Sequence, residues 1–184
     1  ALLVNDDELA TAIRTLFPSS DGGDTPVVDW QAVAATSACL QRFTVITGGP
    51  GTGKTTTVTR LLSALLSQNP NLSIALAAPT GKAAARMTES IRYARDRVAN
   101  GERIPDESFT LHRLLGWSPR GFKYHQGRSL PYDCVVVDEA SMVDLPMMSH
   151  LFSALAADTR LILLGDQDQL ASVEAGSVLA DLCD

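Results

Sequence analysis

At 184 residues, 45% apolar and 20% charged, the chain has the size and composition of one globular domain and excludes a disordered or fibrous protein. No apolar run approaches the ~20 residues of a membrane-spanning helix, and the opening stretch Ala1 to Leu9, with three acids and no basic cluster, does not read as a secretory leader. The net charge of −6 argues against a wholly basic nucleic-acid-binding coat.

Apolar residues at Leu9, Ile13 and Leu16 predict a short amphipathic helix over Asp6 to Phe17. The breaker-rich Asp21-Gly22-Gly23-Asp24-Thr25-Pro26 then marks a loop or linker. Residues 1–26 are therefore read as an N-terminal helix and linker, which could be the tail of a preceding domain, and 27–184 as one further domain. The chain does not begin with Met, which fits a piece of a longer polypeptide.

Asp29 is placed to cap a helix from Trp30 to Leu40. The β-branched run Phe43 to Thr47 predicts a strand that ends in a glycine cluster. Thr55 to Leu66 reads as a helix with Val58, Leu61, Leu62 and Leu65 on one face. Ser73 to Ala78 predicts a second strand stopped by Pro79, and Gly81 to Val98 a helix. Residues 100–130 read as loop, with a short helix at Leu111 to Leu115, and Cys134 to Val137 and Leu161 to Leu164 read as buried strands. Continuously apolar strands alternating with helices predict an α/β fold, a three-layer domain with a mostly parallel central sheet covered on both faces.

The charge is unevenly spread along these elements. Residues 1–30 carry one base and six acids, and 129–184 one base and ten acids. Residues 31–91 carry five bases and one acid, and 92–128 eight bases and four acids. A phosphate backbone would find the positive middle favourable, although on charge alone a solvated arginine-bearing helix face is the simpler account. Cys39, Cys134 and Cys183 lie far apart without C-x-x-C spacing, so packing roles in a reducing cytoplasm are expected rather than a zinc site or disulfides.

One motif carries chemistry at once. Gly48-Gly49-Pro50-Gly51-Thr52-Gly53-Lys54-Thr55 satisfies the phosphate-binding pattern G-x-x-x-x-G-K-[ST], with a strand before it and a helix after. Such a loop turns successive backbone N–H groups inward at phosphate oxygens, and the helix beneath adds its dipole. Lys54 is then expected at the β- and γ-phosphates of a nucleoside triphosphate and the Thr55 hydroxyl on Mg²⁺. Asp138, where the strand Val135-Val136-Val137 emerges, is a second candidate Mg²⁺ ligand, and Glu139 beside it can polarise an attacking water. That pair favours hydrolysis over transfer to an alcohol. Of only three lysines, Lys54, Lys82 and Lys123, the first two stand in glycine-bearing segments after predicted strands.

Five blocks in order carry a resemblance. They are Gly48 to Thr57, Ala78-Pro79-Thr80-Gly81-Lys82-Ala83-Ala84-Ala85-Arg86, Thr110-Leu111-His112-Arg113-Leu114-Leu115, Val137-Asp138-Glu139-Ala140-Ser141-Met142, and Gly165-Asp166-Gln167-Asp168-Gln169-Leu170. Together they resemble the superfamily 1 DNA helicases, most of all the RecD type found as the alpha subunit of bacterial exodeoxyribonuclease V. Ala171 to Gly176 and Asp144 to Met148 point the same way, and the resemblance covers about residues 29 to 184.

The resemblance implies a RecA-like motor domain that binds ATP through Gln31, as adenine reader, and through Gly49, Pro50, Gly51, Thr52, Gly53, Lys54, Thr55 and Thr56. It implies catalytic roles for Lys54, Glu139 and the γ-phosphate-sensing Gln169, with Asp166 fixing that loop. It implies single-stranded DNA contacts from Pro79, Thr80, Gly81 and Lys82 and from Thr110, His112 and Arg113. By resemblance too, the partners are RecB- and RecC-like subunits and movement is 5′ to 3′. The second motor domain and its cleft-spanning arginines are absent after Gln169, so weak nucleotide binding and poor hydrolysis are expected of these residues alone. A capping role for Gln31 and a structural role for His112 remain open beside the implied ones. Among rivals, a GTPase needs an N-K-x-D or T-K-x-D guanine reader, which does not occur, and a small-molecule kinase needs an acceptor pocket and lid arginines. A non-catalytic assembly role for the excised domain is the other rival.

Overall fold

In the computed structural model, residues 5–18, 28–49 and 51–166 are described. Five strands, β1 (Phe43–Thr47), β2 (Ile74–Ala78), β3 (Ser108–Thr110), β6 (Cys134–Val137) and β7 (Arg160–Gly165), form one sheet in the order β1-β7-β6-β2-β3. Every neighbouring pair is parallel. A two-stranded antiparallel hairpin, β4 (Trp117–Ser118) and β5 (Gly121–Phe122), stands apart.

The central strands β2 and β6 are apolar at every position because both faces are covered. Ile74, Leu76, Cys134, Val136, Ile162 and Leu164 face one core with Val58, Leu61, Leu62, Met87 and Ile91. Ala75, Ala77, Val135, Val137, Leu161 and Leu163 face the other, against Leu111, Leu114, Met148 and Leu151. The helices on the first face are α1 (Asp6–Leu16), α2 (Trp30–Leu40), α3 (Lys54–Gln68) and α4 (Gly81–Arg95). On the second lie α5 (Leu111–Leu114) and α6 (Leu145–Ala154). The result is the three-layer α/β architecture expected, and α1 packs on α3 with Leu9 and Phe17 in the shared core.

Three differences from the expected elements have local causes. α4 stops at Arg95, not Val98, because Arg97 and Val98 turn back in three-residue bonds to Ala94 O and Arg95 O before the left-handed Asn100. β3 lies inside the stretch read as loop; at three residues it is too short to show a period and pairs only with β2. α6 was not expected, although its start signal was present: Asp144 accepts from Met147 N at 2.8 Å, and Pro146 sits in the first turn. No helix among the described residues is long and apolar enough to cross a membrane.

Candidate functional site

A parallel sheet collects the C-terminal ends of its strands along one edge, and both groups of candidate residues lie there. β1 leads into the phosphate loop. The loop's backbone requires glycine at Gly51 (φ 77°) and Gly53 (φ 80°), which lie in the left-handed region disfavoured for residues with a Cβ. α3 begins directly at Lys54, and no side chain caps it at Gly53. Among the described residues the other α-helices are all capped by a side chain, from Asn5, Asp29, Thr80, Thr110 and Asp144. The start of α3 therefore keeps its N–H donors and dipole for an anion, and Thr55 and Thr56 lie in that first turn. Half-buried Lys54 folds its ammonium over the loop, donating to Gly48 O and, at 2.9 Å, to Gly49 O. These donors fit a triphosphate, and the donor set fits Mg²⁺, with hard oxygens available on Thr55 and Asp138.

Gln31 reaches this loop from α2. Its Nε2 donates to Thr52 O at 3.1 Å, while its backbone N–H donates to the Asp29 cap at 2.9 Å. It is thus a helix-start residue whose side chain also braces the phosphate loop. Thr52 Oγ1 closes the turn on Gly49 O at 2.9 Å. Pro50 and Gln169 lie outside the described residues.

β7 stands between β1 and β6, so its end comes out between the phosphate loop and the acids. Gly48 N donates to Gly165 O at 3.2 Å across that junction. Asp138 follows β6 and its N–H joins the sheet at Ala77 O, 2.9 Å. Its Oδ1 accepts the Glu139 N–H at 2.9 Å. Burial raises the Asp138 pKa above the usual carboxylate range, against the lowering effects of that N–H and of the Lys54 charge. Glu139 holds a left-handed backbone, φ 51° and ψ 39°, which is uncommon for a residue with a Cβ and typical of sites where geometry is imposed by function. Lys54, Arg86, Asp138, Glu139, Ser141, Gly165 and buried Asp166 line one cleft of about 240 Å³. Of these, Arg86 and Ser141 stand in the quoted sequence blocks without an expected role; nothing in spacing indicates that Arg86 of α4 would turn toward Glu139.

The second group forms a corner on β2 and β3. Ala78 and Thr110 are register partners, so the Pro79–Lys82 and Thr110–Arg113 segments leave adjacent strands side by side. Thr80 caps α4 by accepting from Ala83 N at 3.2 Å, and Thr110 caps α5 by accepting from Arg113 N at 3.2 Å. Gly81 and Lys82 are exposed. Arg113 pairs with Glu107 at 3.0 Å and lies over the Phe109 ring. His112 is exposed and stands edge-on to Trp117 of the hairpin, ring centroids 6.1 Å apart, and near Phe122. Buried Cys39 and Cys134 are packing residues, their thiols pushed up to about 11 and about 12 by burial.

The phosphate loop between β1 and α3, on a parallel sheet that carries Asp138 at the end of β6, is the arrangement of the P-loop NTPase class of folds. Residues 31–175 match the family model described as an AAA domain, and the chain belongs to that family. It is 46% identical to the RecBCD enzyme subunit RecD of Mycolicibacterium smegmatis over 97% of this chain and 36% of that protein. It is 37% identical to the ATP-dependent RecD2 DNA helicase of Deinococcus radiodurans over 95% of this chain and 24% of that protein. The chain thus spans about a third or less of the relatives it resembles, and its likeness to RecD runs over nearly its whole length. Among solved structures it is similar to the HK97 bacteriophage large terminase, at TM-score 0.51 and 16% identity over 86% of this chain and 37% of that one, a likeness of fold.

Proposed function

We propose that residues 27–184 form the first RecA-like motor domain of an ATP-dependent 5′-to-3′ DNA helicase. The whole protein would act with RecB- and RecC-like subunits in an exodeoxyribonuclease V complex that repairs double-strand breaks. The observation that carries this reading is the shared sheet edge: the uncapped phosphate loop, Asp138 and Glu139 lie along the same edge as the Thr80–Thr110 corner. The names of the relatives, a RecBCD subunit and an ATP-dependent DNA helicase, support it.

The reading assigns each residue a task. Gly49, Pro50, Gly51, Thr52 and Gly53 wrap the phosphates, and Lys54 leaves its carbonyl partners for the β- and γ-phosphate oxygens. Thr55 and Asp138 would hold Mg²⁺, which would neutralise developing charge on the phosphates. Glu139 orients the attacking water and accepts its proton. Gln31, already braced against the loop, reads the adenine edge, and Gln169 senses the γ-phosphate. Thr80, Lys82, Thr110 and Arg113 offer hydroxyl, ammonium and guanidinium groups to the strand's phosphates. Arg113 can exchange Glu107 for a phosphate because its present pair is largely exposed and weak.

The test is Lys54→Ala with Mg²⁺-ATP binding and single-stranded-DNA-stimulated hydrolysis as readouts. Expected is retained folding, nucleotide binding weakened at least ~100-fold, and stimulated turnover lost. That loss of affinity corresponds to ~2.7 kcal/mol of charge-assisted contact. Hydrolysis that ignores DNA, or that prefers GTP, would instead favour a different P-loop enzyme.

A further inference from the structure

We propose that Arg86 is a positioning residue for Glu139, acting across the nucleotide cleft from a helix that begins at the DNA-facing corner. The inference rests on the hydrolytic reading above. Arg86 Nη1 lies 3.8 Å from Glu139 Oε1, and both line the cleft with Lys54 and Asp138. The basic residues further along α4 face elsewhere: Arg92 and Arg95 both pair with Asp106.

The two partners are fixed at the backbone and free at the tip. Around Arg86, buried Ala83, Ala84 and Met87 seat α4 against the domain. Glu139 has its backbone pinned in the left-handed region and its N–H held by Asp138. What remains unfixed is the set of side-chain torsions that decide where the Glu139 carboxylate points, and each has alternative staggered wells. Arg86 selects among them by drawing one oxygen across the cleft.

The pair is a poor stabiliser of the fold. Arg86 is 64% exposed and Glu139 34%, and ion pairs that are this open and this long contribute little to folding. Its place at the water-activating carboxylate gives it a different use, because small errors in the position of a reacting group cost rate steeply.

The experiment measures steady-state, DNA-saturated ATP hydrolysis by the full-length polypeptide carrying Arg86→Gln, Arg86→Lys, Glu139→Gln or both glutamines. Arg86→Gln should lower kcat ~10- to 100-fold with KM for ATP within about threefold, while Tm stays within about 1 °C. Arg86→Lys should recover part of kcat, since a cation again faces the carboxylate. In the Glu139→Gln background, Arg86→Gln should change the residual single-turnover rate less than about twofold, because residues acting as a unit are non-additive. A raised KM at unchanged kcat, or equal losses in both backgrounds, would make Arg86 a phosphate ligand and overturn the inference. So would an undiminished kcat in Arg86→Gln. Full activity in Glu139→Gln would sink the hydrolytic reading itself, a result distinct from any of these.

Discussion

Asp138 shows what burial does to the carboxylate proposed as a cation ligand. Its carboxyl is desolvated at the end of β6, and that burial outweighs the Glu139 N–H and the nearby Lys54 in setting its raised pKa. The folded chain therefore holds the proton more tightly than the unfolded one. Stability from the neutral carboxyl is fully present below the unfolded value of ~3.9 and is lost as pH rises through the folded value. Above that window the ionised group costs stability until a divalent ion takes it. Asp138→Asn, which keeps an oxygen for the Glu139 N–H, should therefore melt above the native chain at pH 7.5 in EDTA. The gap should narrow toward acid, and Mg²⁺-ATP should stabilise only the native chain. A variant that melts below the native chain in EDTA at pH 7.5 would contradict this account. The sequence marks Asp138 and Glu139 by the strand they follow. The strain in Glu139 and its tie to Arg86 were not legible, because they depend on where α4 lies after it crosses the sheet.

At the scale of elements, chemistry is built into helix starts. Asp29 caps α2 through Gln31 N at 2.9 Å and Ala32 N at 3.2 Å, and so sets the first turn from which the Gln31 amide reaches Thr52 O. Asp29→Ala should cost about 1 kcal/mol of stability by denaturant titration, within the range for lost N-caps. Fraying that turn should also weaken Mg²⁺-ATP binding by ~3- to 10-fold, each tenfold being ~1.4 kcal/mol. Unchanged nucleotide affinity at the expected stability loss would show that Gln31 serves only the helix. The caps at Asp29 and the strands β1, β2, β6 and β7 were legible because apolar runs and cap residues are local signals. β3 was not: its three residues are strand only because β2 offers them an edge to pair with. α6 has its start signal in the sequence, in the cap Asp144 and in Pro146 of its first turn.

At the scale of the molecule, the sheet order separates the two proposed sites along one edge. The phosphate loop follows β1 at one side, the acids follow β6 in the middle, and the Thr80–Thr110 corner follows β2 and β3 at the other side. Adjacent strands lie ~4.8 Å apart, so the acids on β6 lie one spacing from β2, whereas three spacings set the phosphate loop ~14 Å from it. That span is beyond direct contact and beyond the ~8 Å screening length of physiological salt. Lys82 should therefore matter to DNA and not to nucleotide. It is exposed at the start of α4, where its ammonium is available to a strand's phosphate. Lys82→Ala should weaken single-stranded DNA binding ~3- to 10-fold and flatten the slope of log K against log salt by ~0.7, the contribution of one phosphate contact on a single strand. Mg²⁺-ATP affinity measured without DNA should stay the same. A slope that does not change would remove Lys82 from the phosphate path, while a loss of nucleotide affinity would mean that the two ends of the sheet edge are coupled already in the absence of DNA.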